Sequence, residues 1–223
     1  MRLMYPIFET PVVFEENRVN ILVIENQKAF FEFVMAISDK GNGAESEVVL
    51  SKNFEEIKFD RIADVTTDIV SLDCNNKKLV SKLYAKLNEI AFQEENYTLT
   101  LDIVSKISEY LLNITQTLPC GVSFDESVEL SQLFKSVALR IDTDGKNLLE
   151  RLCDYVEVMN EFCGTELFVL VNLKSYLGVE ELKEFYKFCS YKKMTLLLIE
   201  NVLREQLDAE CIKIIDNDLC EIS

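Results

Sequence analysis

Histidine is absent from the 223-residue chain. Its absence excludes Ser-His-Asp and Cys-His nucleophilic catalysis and the zincin motifs. It also removes the usual imidazole ligand of zinc, copper and iron, so a bound metal would be a hard cation on oxygen, calcium or magnesium. Cysteine occurs seven times, at 74, 120, 153, 163, 189, 211 and 220, with no C-x-x-C pair. An odd, scattered set without an export signal reads as reduced thiols serving mostly as small core residues. Only 3 Pro and 6 Gly interrupt the chain, which predicts regular elements with few strained turns. No apolar run reaches the roughly 20 residues of a spanning helix. The longest, ILVI at 21–24 and MTLLLIE at 194–200, are strand-length. The opening MRLMYPIFETPVVFEEN lacks an apolar signal core and carries acids early, so a cytoplasmic protein with no membrane partner is expected.

What the chain has in excess is negative charge. Asp and Glu number 39 against 23 Lys and Arg, a formal charge of -16, on an ordinary globular composition of 48% hydrophobic residues. One segment departs from this balance. DCNNKKLVSKLYAKLNE, at 73–89, carries four lysines and no carboxylate between Asp73 and Glu89.

Periodicity organises the rest. VNILVIE at 19–25 is a near-continuous apolar run, the pattern of a strand buried on both faces. Asn26 is placed to cap a following helix whose Ala29, Phe30, Phe33, Val34 and Ile37 share one face. KGNGAES at 40–46 is a loop, and EVVL at 47–50 and RIADVTTDIVSL at 61–72 each hold a strand. From Asn75 to about Leu118 the pattern is helical, with stripes Leu79–Leu83–Leu87–Ile90 and Leu99–Ile103–Ile107–Leu111–Ile114, stopped by Pro119 and Gly121. Helices at about 145–162 and 179–189 then alternate with strands at 166–172, 194–200 and 211–217. The fold class is α/β: a parallel-rich sheet head, in two parts (1–72 and 138–223), interrupted by an α-helical hairpin leg at 73–137.

Such a head raises the question of nucleotides. A P-loop needs glycines between the first strand and its helix so that backbone N–H groups can cradle phosphates. Here that turn is IENQKAF, and the lone G-x-G, at 41–43, follows a helix and precedes no Lys-Ser/Thr. FVLVN ends in Asn172, where an NTPase would usually carry a magnesium-binding Asp. No nucleotide cofactor is expected.

The lysines fall into a pattern. On a helix starting near Asn76, Lys78, Lys82 and Lys86 stand at i, i+4 and i+8 in one slowly drifting stripe, with Lys77 beside its start. Leu79, Leu83 and Leu87 lie about 100° away, facing the leg's own core. A row about 12 Å long spans several phosphates of B-DNA. It also fits a plain solvated face. Tyr84 is its only aromatic, so base stacking and base reading have no support.

A second cluster is acidic. In FDESVELSQLFK, at 124–135, Asp125, Glu126 and Glu129 fall within five residues. Such carboxylates suit calcium, which takes six to eight oxygens. Asp125 as a helix cap, with acids in the first turn, is the alternative. DTDGKN at 142–147 is no EF-hand: its glycine comes two places early, and Cys153 stands where a Glu is required.

NILVIENQKAFFEF, DIVSLDCNNKKLVSKLYAKLNE, VSFDESVELSQLFKSVALRID and ELFVLVN…MTLLLIE, in this order and spacing, resemble the short-form CRISPR-associated protein specific to type II-A systems, which acts in spacer acquisition. The resemblance covers most of the chain and rests on pattern rather than invariant motifs. It implies a degenerate P-loop-NTPase-like head without nucleotide binding and an extended helical leg. It further implies a homotetrameric ring with a basic central hole, calcium-dependent assembly, non-catalytic binding of double-stranded DNA ends, and the other Cas proteins of the locus as partners. The family carries calcium around the 124–135 region, usually with more acids just before it; here that stretch is LPCGVS. A competing reading is a magnesium-dependent nuclease or NTPase relative, with Glu25 and Glu200 as paired strand-end carboxylates. A protein-binding scaffold is a third.

Overall fold

The computed structural model describes residues 1–125 and 127–222, and the chain divides into two compact units, Met1–Cys74 with Thr143–Ser223, and Asn75–Asp142. The first unit, the head, begins β1 (Arg2–Met4), β2 (Val12–Val13), β3 (Val19–Ile24), α1 (Gln27–Gly41), β4 (Val49–Lys52), β5 (Glu55–Glu56), α2 (Phe59–Ile62) and β6 (Ala63–Thr66). The inserted unit holds α3 (Lys77–Ala91), α4 (Glu94–Thr115) and α5 (Leu130–Ser136). The head resumes with α6 (Leu148–Cys163), β7 (Leu167–Val171), a 3-10 turn at Leu173–Ser175, α7 (Val179–Tyr191), β8 (Thr195–Glu200), β9 (Glu210–Ile215) and β10 (Glu221–Ile222).

The main sheet has the order β10-β9-β3-β8-β7-β6, parallel throughout except for β10 on β9. Every residue of β3 and β7 is buried, because both faces are covered; this is what the unbroken apolar run of β7 and the near-continuous one of β3 require. On one face Phe33 of α1 packs beneath Tyr5 and Phe8, with ring centroids 4.9 and 5.3 Å away. Sealing a ring of that size stabilises the fold by about 1.5–3 kcal/mol. The head is of the expected α/β class, a parallel-rich sheet with a helical insertion.

Several local expectations needed revision. Of a second, antiparallel sheet, β2-β1-β4-β5, only the strand expected at 47–50 was read, as β4; the other strands are two or three residues long. The strand expected within 61–72 is β6, and only the single helical turn of α2 before it was not expected. Only Cys74 and Cys189 are buried, so most of the thiols are not core residues. The loop expected from residue 40 starts later, since α1 runs to Gly41. A Cβ there would stand 3.0 Å from Val65 Cγ2, so this close approach of helix to strand favours glycine.

In the inserted unit, α3 is capped by Asn76, whose Oδ1 accepts from Leu79 N–H at 3.0 Å. Its last carbonyls are satisfied from α4: Thr100 Oγ1 donates to Ala91 O at 2.7 Å and Asn96 Nδ2 to Ile90 O at 3.2 Å. The unit ends at Asp142 rather than at 137, because Asn75 clasps the far end of the insertion. Asn75 Nδ2 donates to Ile141 O at 2.9 Å, and Ile141 N–H returns a bond to Asn75 Oδ1 at 2.8 Å. Tyr84 is buried, its hydroxyl donating to Leu139 O at 3.0 Å and its ring tilted against Phe134. The expected second stripe does not form a core in this chain. Leu99, Ile103 and Ile114 are exposed, and Thr100 is the sole buried residue of α4.

Candidate nucleic-acid interface

Lys77, Lys78 and Lys82 are exposed on α3 and have no ion pair or hydrogen-bond acceptor among the described residues. Lys86 differs: it is half-buried and its ammonium sits 3.0 Å from Glu89 Oε2. The helix rises about 6 Å between Lys78 and Lys82. The available row is therefore Lys77, Lys78 and Lys82, with the last member of the i, i+4, i+8 stripe already neutralised. Tyr84 points inward to Leu139 and offers no stacking platform.

The acidic residues do not gather. Asp125 Oδ1 accepts from Ser127 N–H at 2.9 Å and from Ser127 Oγ at 2.7 Å, a local turn that holds its carboxyl below the usual range. The expected capping role for Asp125 fails, because α5 starts only at Leu130. Glu129 occupies the N-cap position without bonding the helix N–H groups; its oxygens take the Ser131 hydroxyl and the Gln132 amide instead, which lowers its pKa. Glu129 also lines a small cavity with Ser81, Tyr84, Asn88 and the ammonium-bearing Lys135, a neighbour that opposes a dication. Glu126 lies outside the described residues. Among the described residues no three His, Cys, Asp or Glu side chains are grouped to hold a metal. Asp125 and Glu129 alone do not make a calcium cage, which needs six to eight oxygens.

The strand-end acids are parted. Glu200, at the end of β8, stands beside Val23 of β3, two residues short of Glu25. Glu25 Oε2 accepts from Asn217 Nδ2, 3.3 Å away, beyond β9 on the other side of β3. Glu200 is fully buried; Oε1 accepts from Lys174 N–H at 2.9 Å, while Oε2 has no hydrogen bond. Desolvation dominates and lifts its pKa to about 7, against smaller opposing pulls from the Lys174 N–H, Arg204 and the Lys174 charge. Asn172 holds a left-handed backbone (φ 55°) and accepts from Asn201 N–H, so it braces a turn. Between β3 and α1 stand only Glu25 and Asn26, and Asn26 Oδ1 is spent on the N–H groups of Lys28 and Ala29 at 3.1 Å.

Sequence comparison bears on the whole molecule. The model of the family described as CRISPR-associated protein (Cas_Csn2) matches residues 41–219, which takes in most of the head and all of the helical unit. The chain belongs to this Cas_Csn2 family. Among curated proteins it is similar to CRISPR-associated protein Csn2 of Streptococcus agalactiae, 19% identical over 201 residues, covering 90% of this chain and 89% of that protein. Among solved structures it can be overlaid on a putative ABC transporter (ATP-binding protein) from Pyrococcus furiosus with a TM-score of 0.41 and 11% identity, over 91% of this chain and 88% of that chain. No helix among the described residues is long and apolar enough to cross a membrane. As a member of the Cas_Csn2 family the chain is a CRISPR-associated protein. One feature its sequence did not disclose is the bare α4, since a heptad-like apolar stripe reads the same whether or not its own chain covers it.

Proposed function

We propose that the protein is a non-catalytic, sequence-independent binder of double-stranded DNA ends, built as a homotetrameric ring and accessory to CRISPR spacer acquisition alongside the other Cas proteins. The observation that carries the reading is the trio Lys77, Lys78 and Lys82: exposed, uncommitted ammoniums on one stretch of helix in a chain of charge -16. Free ammoniums attract phosphates without reading bases, and an acidic remainder discourages DNA elsewhere. Self-assembly is supported by α4. Leu99, Ile103, Tyr110 and Ile114 are 61%, 41%, 63% and 43% exposed, yet helical geometry sets all four within about 60° of arc. An apolar stripe of about 22 Å on one helix needs a partner to cover it.

Calcium enters as a part of this proposal. Asp125, Glu126 and Glu129 would take their missing oxygens from a neighbouring chain, which would tie the ion to assembly. Catalysis is left out because the β3–α1 turn has no glycine and the Glu25 and Glu200 side chains do not share a site. The test compares linear with covalently closed circular duplex in a gel shift, beside native mass with and without a calcium chelator. Linear duplex should bind and the closed circle bind poorly, and chelation should lower the mass. Equal affinity for circle and linear DNA overturns end-dependent threading, and metal-dependent cleavage lost in Glu25→Gln/Glu200→Gln makes the nuclease reading the better one.

A further inference from the structure

A cavity of about 750 Å³ opens on the head at the N-terminal edge of the parallel strands, the edge opposite the β3–α1 turn. That volume lies within the range of small-molecule sites. Its floor is apolar and buried: Val19, Tyr186, Cys189, Met194, Leu196 and Leu207. Two of these walls are braced from behind. The Tyr186 hydroxyl donates to Glu210 Oε1 at 2.8 Å and Leu207 N–H to Glu210 Oε2 at 3.0 Å. Glu210 is itself anchored by the buried Lys174 ammonium. Walls fixed in advance lower the ordering cost of taking up a ligand.

The rim carries unusual backbone. Asn17 (φ 60°) and Lys193 (φ 58°) both line the cavity in the left-handed region. Lys193 sits just past the end of α7, where Met194 N–H bonds Cys189 O at 2.9 Å and Lys193 N–H bonds Ser190 O at 3.0 Å. This is the helix-ending position that glycine fills most easily. A lysine there brings an ammonium to the rim. Asn17 Oδ1 accepts from Ser190 Oγ at 2.7 Å and joins the β2–β3 loop to the same helix end. Such backbone is a cue to look for function.

The charge of the rim is also out of character. Five basic and four acidic residues line the cavity in a chain with 23 basic and 39 acidic residues. Lys52 faces Glu166 at 3.9 Å, Lys183 faces Glu180 at 2.7 Å, and Arg18 is bonded to Asp208 O and Cys211 Sγ. Lys187 and Lys193 have no acceptor among the described residues, while Glu15 and Glu16 enter from the β2–β3 loop.

We infer that this cavity binds a small organic anion, one carboxylate or phosphate head on a largely apolar body. The head lies between the Lys187 and Lys193 ammoniums, and the body covers Met194, Leu196 and Tyr186. The methionines provide the test, because Met1 and Met194 line the cavity whereas Met35 and Met159 do not. The full chain, labelled at its methionine methyls, is titrated with decanoate and with 1-naphthyl phosphate, using neutral 1-naphthol as the control. Saturable shifts at Met194 and Met1, with Met35 and Met159 unmoved, are expected from at least one anion. Saturation by only one of the two supports the site and fixes its head group. Lys187→Glu/Lys193→Glu should weaken binding at least tenfold while the Met35 and Met159 signals stay in place. Absence of a saturable shift with either anion, equal binding of 1-naphthol, or unchanged affinity of the double variant would overturn the inference.

Discussion

The Lys174 ammonium lies 2.9 Å from Glu210 Oε1 and 3.0 Å from Oε2, with only 4% of the lysine side chain and none of the glutamate exposed. A third contact, to Glu205 O at 2.6 Å, ties in the chain between β8 and β9. Lys174→Met strands a buried carboxylate and should destabilise the head by about 3–5 kcal/mol in urea unfolding. Lys174→Met/Glu210→Gln removes both charges, keeps an amide oxygen for the Tyr186 hydroxyl or the Leu207 N–H, and should recover part of that loss. A double variant as unstable as the single would mean that the pair itself stabilises the fold.

Glu200 makes stability depend on pH. Its folded pKa, raised by burial to about 7, exceeds the ordinary value of 4.5. Between these values the folded state holds a proton that the unfolded chain releases. Its contribution is full below about pH 4.5 and is lost as pH rises through about 7. The loss is on the order of 3 kcal/mol. Glu200→Gln should flatten that slope in urea midpoints taken from pH 5 to 8. An unchanged slope would assign the dependence to another group.

Among the lysines, the three uncommitted side chains should outweigh the paired one. Lys77→Ala, Lys78→Ala and Lys82→Ala should each lower the slope of log K against log salt for duplex DNA by up to about one unit per contact. Lys86→Ala should matter less, because Glu89 already neutralises it. Substituting Glu at all three free positions should abolish duplex binding and leave the far-UV spectrum unchanged. Normal binding by that triple variant would remove the row from the interface.

The α4 stripe predicts a failure of assembly without unfolding. Leu99→Glu/Tyr110→Glu changes two side chains that are mostly in solvent within one chain, so the isolated fold should tolerate it. Native mass should fall to that of a smaller species with helicity retained. An unaltered mass would leave the stripe without a self-partner.

How much of this was legible beforehand depended on what covers each element. β3, β7 and β8 announced themselves because strands buried on both faces are apolar along nearly all of their length. Asn26 and Asn76 were readable as caps, since a side-chain oxygen before an amphipathic run satisfies orphan N–H groups. Most of the antiparallel sheet was not, because two-residue strands such as Val12–Val13 are shorter than any period. At the site, Lys78, Lys82 and Lys86 looked alike on spacing, and only the Glu89 contact separates the last of them. Capping stood open as the alternative to calcium at Asp125 because sequence gives the order of Ser127 and Leu130 but not where the helix begins. The cavity on the head left no motif at all, since its walls come from segments as far apart as Val19, Tyr186 and Leu207.

The reciprocal bonds between Asn75 and Ile141 bear on the tolerance of the fold to insertion as well as on its stability. The chain enters and leaves the inserted unit through one gate, so the rest of the polypeptide sees residues 75–142 as a closed ring rather than a long tether. The entropy of closing such a loop grows only with the logarithm of its length. Helical turns can therefore be added to or removed from the insertion at little cost to the sheet that hosts it. The clasp makes the inserted unit the part of this chain most free to change size, while β3, β7 and β8 keep their register.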